Sequence, residues 1–217
     1  MSEGVKRRYD STRRRQQAQE NRRRVLDAAR ELFADKGYGA TTVAEVAEAA
    51  GVAVETVYAA FRTKLTVLRR AWDVAVGGDE DDVRLLDRPE LRAVFAEPDL
   101  AGRLTRFADV NTAIMRRTAR LRLAIQGAAG GDPGAAEFLA EIDEARLDAM
   151  GEHARAAAAT GQLAVPEDTC RDVLFATTDG SLWLTLVGRR GWSDEAYAAW
   201  LARLWRTTLV APEPSEL

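Results

Sequence analysis

A short segment near the amino terminus constrains the fold most, because it carries the local signals for two short helices separated by a glycine. Thr42 and Glu45 have the spacing of a capping box, in which each residue's side chain accepts a hydrogen bond from the other's backbone amide. Apolar residues then recur on one helical face at Val43, Val46, Ala47 and Ala50. The pattern predicts a helix of about two to three turns that ends at Gly51.

A second short helix is predicted directly after this turn, from about Ala53 to Ala59, with Val57 and Phe61 pointing inward. A longer helix precedes the pair, from about residue 18 to a closing glycine at position 37, and another follows it after a threonine cap at position 63. Two short helices joined by a glycine-containing turn form the geometry in which a helix enters the major groove of DNA. The segment therefore predicts a helix-turn-helix.

The remaining sequence predicts only helices, since apolar stretches with helical periodicity alternate with proline and glycine and no strand pattern is convincing. The predicted helices cover about residues 99–117, 118–128, 134–160, 168–189 and 194–209. The predicted fold class is all-α, with a basic flexible arm at 1–17, a three-helix DNA-binding domain at 18–64, and a larger helical regulatory and dimerisation domain at 65–217.

Charge is distributed unevenly along the chain, although the formal net charge is only -3. The first 64 residues contain 13 Lys and Arg against 9 Asp and Glu, whereas the rest contains 18 against 25. A cluster of basic residues suits a polyanion such as DNA, and Arg13, Arg14 and Arg15 are candidate DNA contacts. Arginine-rich ends are also often solvated tails, so the basic arm alone does not establish DNA binding.

Several functional classes lack the residues that they need. A single cysteine, Cys170, and a single histidine, His153, cannot form a disulfide framework or a Cys/His zinc site by themselves. The sequence contains no glycine-rich phosphate loop, nucleophile elbow or paired-histidine zinc motif. It also contains no apolar run of roughly 18 residues and no signal-peptide pattern. We therefore expect a cytoplasmic protein that is not an enzyme, with no metal, no cofactor and no membrane partner.

Two segments of the sequence resemble a known family. Residues 31–68, ELFADKGYGATTVAEVAEAAGVAVETVYAAFRTKLTVL, are similar to the signature of the TetR family, and residues 190–205 resemble the family's final helix more weakly. The resemblance implies a homodimeric transcriptional regulator, by default a repressor, released from a palindromic operator by a small apolar or amphipathic ligand. The alternative is a helical architectural or adaptor protein that binds DNA without a ligand.

The resemblance also implies roles for individual residues. Thr42 matches a phosphate contact at the start of the second helix, and Lys64 matches a phosphate-binding lysine. Tyr58 and Thr56 match residues of the recognition helix that meet the backbone or the groove. Many family members carry polar donors at positions 53–55. Here Val54 is a candidate contact for a thymine methyl group, and Glu55 is a candidate acceptor for a cytosine amine.

The carboxyl-terminal half offers candidates for two further sites. The family's last two helices form a four-helix dimer bundle, although an ordinary core within one chain would explain the same apolar faces. The candidate interface residues are Leu174, Ser181, Leu182, Thr185, Trp200 and Leu204, and small residues at 180 and 181 would allow close approach of helices. Candidate ligand-binding residues are Phe107, Met115 and Trp183.

Overall fold

The computed structural model describes residues 3–79 and 83–212, and it describes side chains from residue 13 onward. The helices within these ranges are α1 Glu3–Lys36, α2 Val43–Ala50, α3 Val54–Phe61, α4 Lys64–Gly77, α5 Pro89–Ala96, α6 Leu100–Ala129, α7 Pro133–Ala158, α8 Glu167–Thr177, α9 Ser181–Trp183 and α10 Asp194–Leu209. A 3₁₀ turn covers Leu85–Asp87, and π-helical turns follow α9 over Leu184–Arg189. Extended pairing in these ranges is limited to one bridge between Leu163 and Val210. The all-α prediction is confirmed.

Helix α1 begins much earlier than the sequence predicts. The flexible arm was expected over residues 1–17, but residues 3–17 continue α1 without a break, while Met1 and Ser2 lie outside the described residues. Arginine, glutamine and glutamate have good helix propensity, so a segment without an apolar stripe can still extend a helix that is nucleated further along. Among the described side chains of α1, Val25 and Leu26 are the first buried ones, and residues 13–20 before them are exposed, so this part of the helix projects beyond the packed domain.

Two hydrophobic cores organise the chain. The first buries one face each of α1, α2, α3 and α4 against four residues of the longer helices, namely Leu121, Ile125, Phe138 and Ile142. The second buries α5, α8, α9 and α10 against the other parts of α6 and α7, around the large side chains of Tyr197, Leu201 and Trp205. Helices α6 and α7 therefore both belong to the two cores, and α4 packs with the DNA-binding helices although it follows the predicted boundary at residue 64.

Helix α6 is one helix where the sequence predicts two. The predicted break lay at Thr118, but the hydroxyl of Thr118 donates to the carbonyl of Ile114 at 2.8 Å, so the residue satisfies its polar group inside the helix. Helix α5 was not predicted. Only Leu91 and Val94 of its eight residues are buried, which leaves too little apolar periodicity for a sequence-based assignment.

The helix predicted over residues 168–189 is interrupted where α8 ends. The chain turns at Gly180, which has a φ of 89° and lies against α6 of the same chain. A Cβ atom at this position would lie 2.9 Å from the Cβ of Ala119 and 3.2 Å from its Cα. The small residue expected to permit close approach between two subunits instead permits close approach of two segments within one chain.

Two arginines fix the carboxyl ends of neighbouring helices. Arg103 is 8% exposed and donates to the carbonyls of Glu97 and Ala156, where α5 and α7 end. Arg117 on α6 donates to the carbonyls of Ala75 at 2.8 Å and Val76 at 3.1 Å, in the last turn of α4. The final carbonyls of a helix have no hydrogen-bond donor within the helix and carry partial negative charge. A guanidinium supplies both the donors and the opposite charge.

We predict that Gly180→Ala destabilises the protein by about 2–4 kcal/mol, since alanine disfavours a positive φ and its methyl group would press against Ala119. The measurement is urea unfolding followed by circular dichroism. The control is Gly127→Ala, at an exposed position in α6 with open space around it, where stability should rise by about 0.5–1 kcal/mol. Identical unfolding midpoints for Gly180→Ala and the wild type would contradict the prediction.

Candidate DNA-binding site

The amino end of α2 is closed by the capping box that the sequence predicts. The Thr42 hydroxyl accepts the Glu45 amide at 3.2 Å, and the Glu45 carboxylate accepts the Thr42 amide at 2.8 Å and the Thr42 hydroxyl at 2.9 Å. Lys36 of α1 donates to the same carboxylate at 2.7 Å. The hydrogen bonds from Lys36 and then from Thr42 lower the pKa of Glu45 to about 2. The cap is therefore charged and fixed throughout the neutral range.

The turn between α2 and α3 also follows the sequence prediction. Gly51 adopts a left-handed conformation, with a φ of 63°, and its amide donates to the carbonyls of Ala47 and Glu48. A non-glycine residue would carry a steric penalty in this conformation. Gly51 thus ends α2 sharply enough for α3 to begin at Val54.

Helix α3 presents its polar side outward. Val57 and Phe61 are each 1% exposed and anchor the helix in the first core. Glu55 is exposed, Tyr58 is 50% exposed, and Thr56 is half-buried at the edge of the outer face. Val54 is half-buried and packs against the first core, so less of its side chain is available than the sequence predicts.

Ala59 and Ala60 are exposed residues of α3 that sequence reasoning passed over. With helical spacing of about 100° per residue, Ala59 lies close to Glu55 on the outer side, opposite Val57. Small side chains there let the helix backbone approach a groove closely. The sequence does contain a signal for this exposure, because Ala59 occupies the helical position opposite the buried residues Val57 and Phe61.

Lys64 makes hydrogen bonds within the chain that its predicted role as a phosphate contact does not require. Its ammonium donates to the carbonyls of Tyr38 at 2.9 Å and Thr41 at 3.0 Å and lies 4.2 Å from the centre of the Tyr38 ring. These contacts tie the first turn of α4 to the connection between α1 and α2. Two of the three ammonium hydrogens are thus used within the chain.

Arg62, between α3 and α4, is a further residue that sequence reasoning missed. Its φ of 65° and ψ of -47° are unusual for any residue other than glycine, and the amide of Thr63 donates to the carbonyl of Phe61 across it at 2.7 Å. This is a three-residue turn, a strained connection that positions the exposed Arg62 side chain beside the amino end of α4. No sequence signal marks it.

The basic candidates Arg13, Arg14 and Arg15 are exposed on the projecting part of α1. The same helix reaches the recognition helix at Arg22, whose guanidinium lies 4.8 Å from the centre of the Phe61 ring. Helix α1 thus joins the arginine cluster to the end of α3. The structure places the cluster on the same continuous helix that packs against the end of α3.

The candidate ligand residues lie in two places. Phe107 and Met115 line a cavity of about 170 Å³, which also has walls from α4 and α7. Trp183 is buried outside this lining and donates its indole N–H to Asp194 at 2.8 Å. Sequence reasoning did not assign Arg122, Arg146 and His153 to the cavity, because the residues of α6 and α7 that face each other depend on tertiary packing.

Most of the candidate interface residues lie on the surface of the single chain. Ser181 and Thr185 are exposed, and Leu182, Trp200 and Leu204 are half-buried. Leu174 is different, because it is 1% exposed and packs within the second core. Burial in its own chain removes Leu174 as a contact for a second subunit.

Two other features are absent from the described residues. None of the helices within residues 3–79 and 83–212 is long and apolar enough to span a bilayer. The same ranges contain no group of three His, Cys, Asp or Glu side chains positioned to hold a metal ion.

Comparison with known proteins gives a specific match over the DNA-binding helices. The family described as "Bacterial regulatory proteins, tetR family" matches residues 25–71. The HTH-type transcriptional regulator AcrR of Shigella flexneri is 36% identical over 61 residues, which are 28% of this chain and 28% of AcrR. The sequence similarity to AcrR is therefore confined to about a quarter of each protein.

Solved structures extend the likeness to the whole fold. A transcriptional regulator from Saccharomonospora viridis in complex with choline has a TM-score of 0.67 at 20% identity, covering 89% of this chain and 100% of that one. FadR from Bacillus subtilis in complex with stearoyl-CoA has a TM-score of 0.66 at 18% identity, covering 84% and 96%. Residues 25–71 therefore match the TetR family of bacterial regulatory proteins, and the chain as a whole shares the helical fold of the two solved structures.

Proposed function

We propose that this chain is a transcriptional regulator that binds a palindromic DNA operator as a homodimer and releases it when a small ligand occupies the cavity. The observation that carries the proposal is the capped α2, the left-handed Gly51 and the outward-facing α3, which together form a helix-turn-helix. Repression is the simplest mode, because a bound dimer obstructs transcription and its release restores it.

The DNA contacts follow from the exposed groups of this unit. The outer face of α3, with Glu55, Thr56 and Tyr58, enters the major groove, while the first turn of α2 offers backbone amides to a phosphate next to Thr42. The third hydrogen of the Lys64 ammonium donates to the phosphate backbone of the DNA. Because its other two hydrogens hold the α1–α2 connection, Lys64 both shapes the site and contacts DNA.

The projecting part of α1 supplies a second, less specific contact. Arg13, Arg14 and Arg15 follow the phosphate backbone beside the recognition helix or reach the adjacent minor groove. Their contribution is electrostatic, so it adds affinity on any sequence and depends steeply on salt.

A dimer is required because one short helix reads too few base pairs for useful specificity, whereas two symmetric helices read a palindrome. We place the interface on α10 and on the segment from α9 to residue 189, where Leu182, Trp200 and Leu204 expose apolar surface beside Ser181 and Thr185. Trp192, 37% exposed and edge-on to Trp200 at 6.2 Å, extends the same surface.

The cavity is connected to the DNA-binding domain through α4, which favours a ligand-responsive regulator over an architectural DNA-binding protein. Trp72 and Val76 of α4 line the cavity, while Lys64 at the other end of α4 holds the helix-turn-helix. A ligand that fits better when α4 is displaced lowers operator affinity by the difference in its binding energy between the two conformations. The effector thus acts on the spacing of the two recognition helices.

We predict that Tyr58→Ala and Lys64→Met each weaken operator binding at least about tenfold, because each removes a contact in both subunits. Fluorescence anisotropy with DNA from upstream of the protein's own gene measures the affinity. Leu147→Ala, at an exposed apolar residue on α7, is the control and should bind as the wild type does. Wild-type affinity in both site variants would exclude the proposed docking face.

Replacing Arg13, Arg14 and Arg15 together by glutamine should reduce the salt dependence of binding. Each lost phosphate contact reduces the steepness of log K against log salt by about 0.9. Because a dimer would lose three contacts in each subunit, the slope should become shallower by up to about 5. The control replaces three exposed arginines on α5, α6 and α7, Arg92, Arg106 and Arg155, and makes the same change in net charge. Equal slopes for the two triple variants would show that the α1 arginines do not contact DNA.

Leu204→Glu should convert the dimer to a monomer in sedimentation velocity and abolish high-affinity operator binding, since it buries an unpaired charge at the interface. Ala199→Glu is the matched control, because it places the same charge on an exposed part of α10 about 140° away around the helix. If both variants sediment as dimers, the interface lies elsewhere.

A further inference from the structure

The cavity behind α4 is elongated. It follows one side of α6 from Phe107 to Arg122, a distance of about 22 Å at the rise of an α-helix, and is bounded on the opposite side by α7 from Ile142 to His153. Its volume of about 170 Å³ is close to that of cavities that hold a single benzene molecule. A small volume distributed along such a length favours a narrow chain over a bulky ring system.

One end of the cavity is apolar and uncharged. His153 lies between two phenylalanine rings, with centroid distances of 4.6 Å to Phe95 and 3.9 Å to Phe107, and Phe107 stacks in turn on Trp205 at 5.1 Å. Burial, and then the positive charge of Arg103, lower the pKa of His153 to about 3. The imidazole is therefore neutral at physiological pH, and this end suits a hydrocarbon group.

The other end contains hydrogen-bond donors in excess. Arg122 and Arg146 share one carboxylate oxygen of Asp143, at 2.8 and 3.0 Å. Nη1 of Arg122 and Nε of Arg146 are buried and have no hydrogen-bond partner among the described residues. Asp179 also lines the cavity, but its carboxylate already accepts the amide and hydroxyl of Ser181 at 2.9 and 2.6 Å.

A third donor lies between the two ends. Asn111 is 3% exposed, lines the cavity, and its Nδ2 has no partner within the described part of the chain. Leaving a buried donor without a partner costs free energy, and an arginine costs more than a neutral group. Since all unpartnered buried polar atoms that line this cavity are donors, they favour a ligand with acceptor oxygens and negative charge.

We propose that the effector is a linear aliphatic monocarboxylate of roughly eight carbons, with its carboxylate at Arg122 and Arg146 and its chain directed toward His153 and Phe107. The inference rests on the proposed function, because it identifies the ligand of the same regulatory cavity. The carboxylate supplies the acceptors that the two guanidinium groups lack, and the chain extends along the apolar lining of α6 toward the other end.

The test compares three probes of equal chain length by isothermal titration calorimetry with the full chain: octanoate, 1-octanol and octylamine. Octanoate should bind at least tenfold more tightly than either of the others. Arg122→Gln should weaken octanoate binding at least tenfold and leave 1-octanol binding within about twofold. Arg116→Gln is the control, because this arginine lies on the exposed side of α6 and its replacement should change neither affinity.

Equal binding of the three probes, tighter binding of octylamine, no binding of octanoate, or an unchanged octanoate affinity in Arg122→Gln would each overturn the proposal. Operator binding by the same protein samples, measured without any probe, separates this inference from the proposed function. Intact operator binding with failed octanoate selectivity rejects only the carboxylate. Selective octanoate binding without any specific DNA affinity rejects the regulator instead.

Discussion

Helix α6 is the element on which the rest of the structure depends, because it is packed into both hydrophobic cores at once. Leu121 and Ile125 belong to the core of the DNA-binding helices, whereas Leu104 and Phe107 belong to the core of the regulatory helices. Between them, Arg117 binds the last carbonyls of α4. A displacement of α6 in the regulatory core would therefore act directly on the end of α4, since close-packed interiors transmit strain.

The sequence predicts best where the determinants are local. The capping box at Thr42 and Glu45, the left-handed Gly51, and the buried pair Val57 and Phe61 are all present as predicted, because each depends on residues within one or two helical turns. This local determination explains why the helix-turn-helix and the family were identified from the sequence alone.

The predictions are less accurate where tertiary contacts decide the outcome. Gly180 was assigned to a subunit interface, but its neighbour is Ala119, 61 positions earlier in the chain. The DNA contact of Lys64 stays a prediction, whereas its hydrogen bonds to the carbonyls of Tyr38 and Thr41 were not predicted. The two arginine donors of the cavity were not predicted either, because Arg122 and Arg146 look like ordinary surface charges until α6 and α7 are placed together.

The continuity of α1 has a mechanical consequence. Arg14 lies eleven residues before Val25, the first buried residue among the described side chains of α1, which corresponds to about 16 Å of helix. A tilt of about 10° of α1 in its core contacts moves the backbone at Arg14 by about 3 Å, roughly the length of a hydrogen bond. The projecting helix would act as a lever that enlarges small rotations of the domain, and in the proposed complex its arginines would shift further along the phosphate backbone than the recognition helix shifts in the groove.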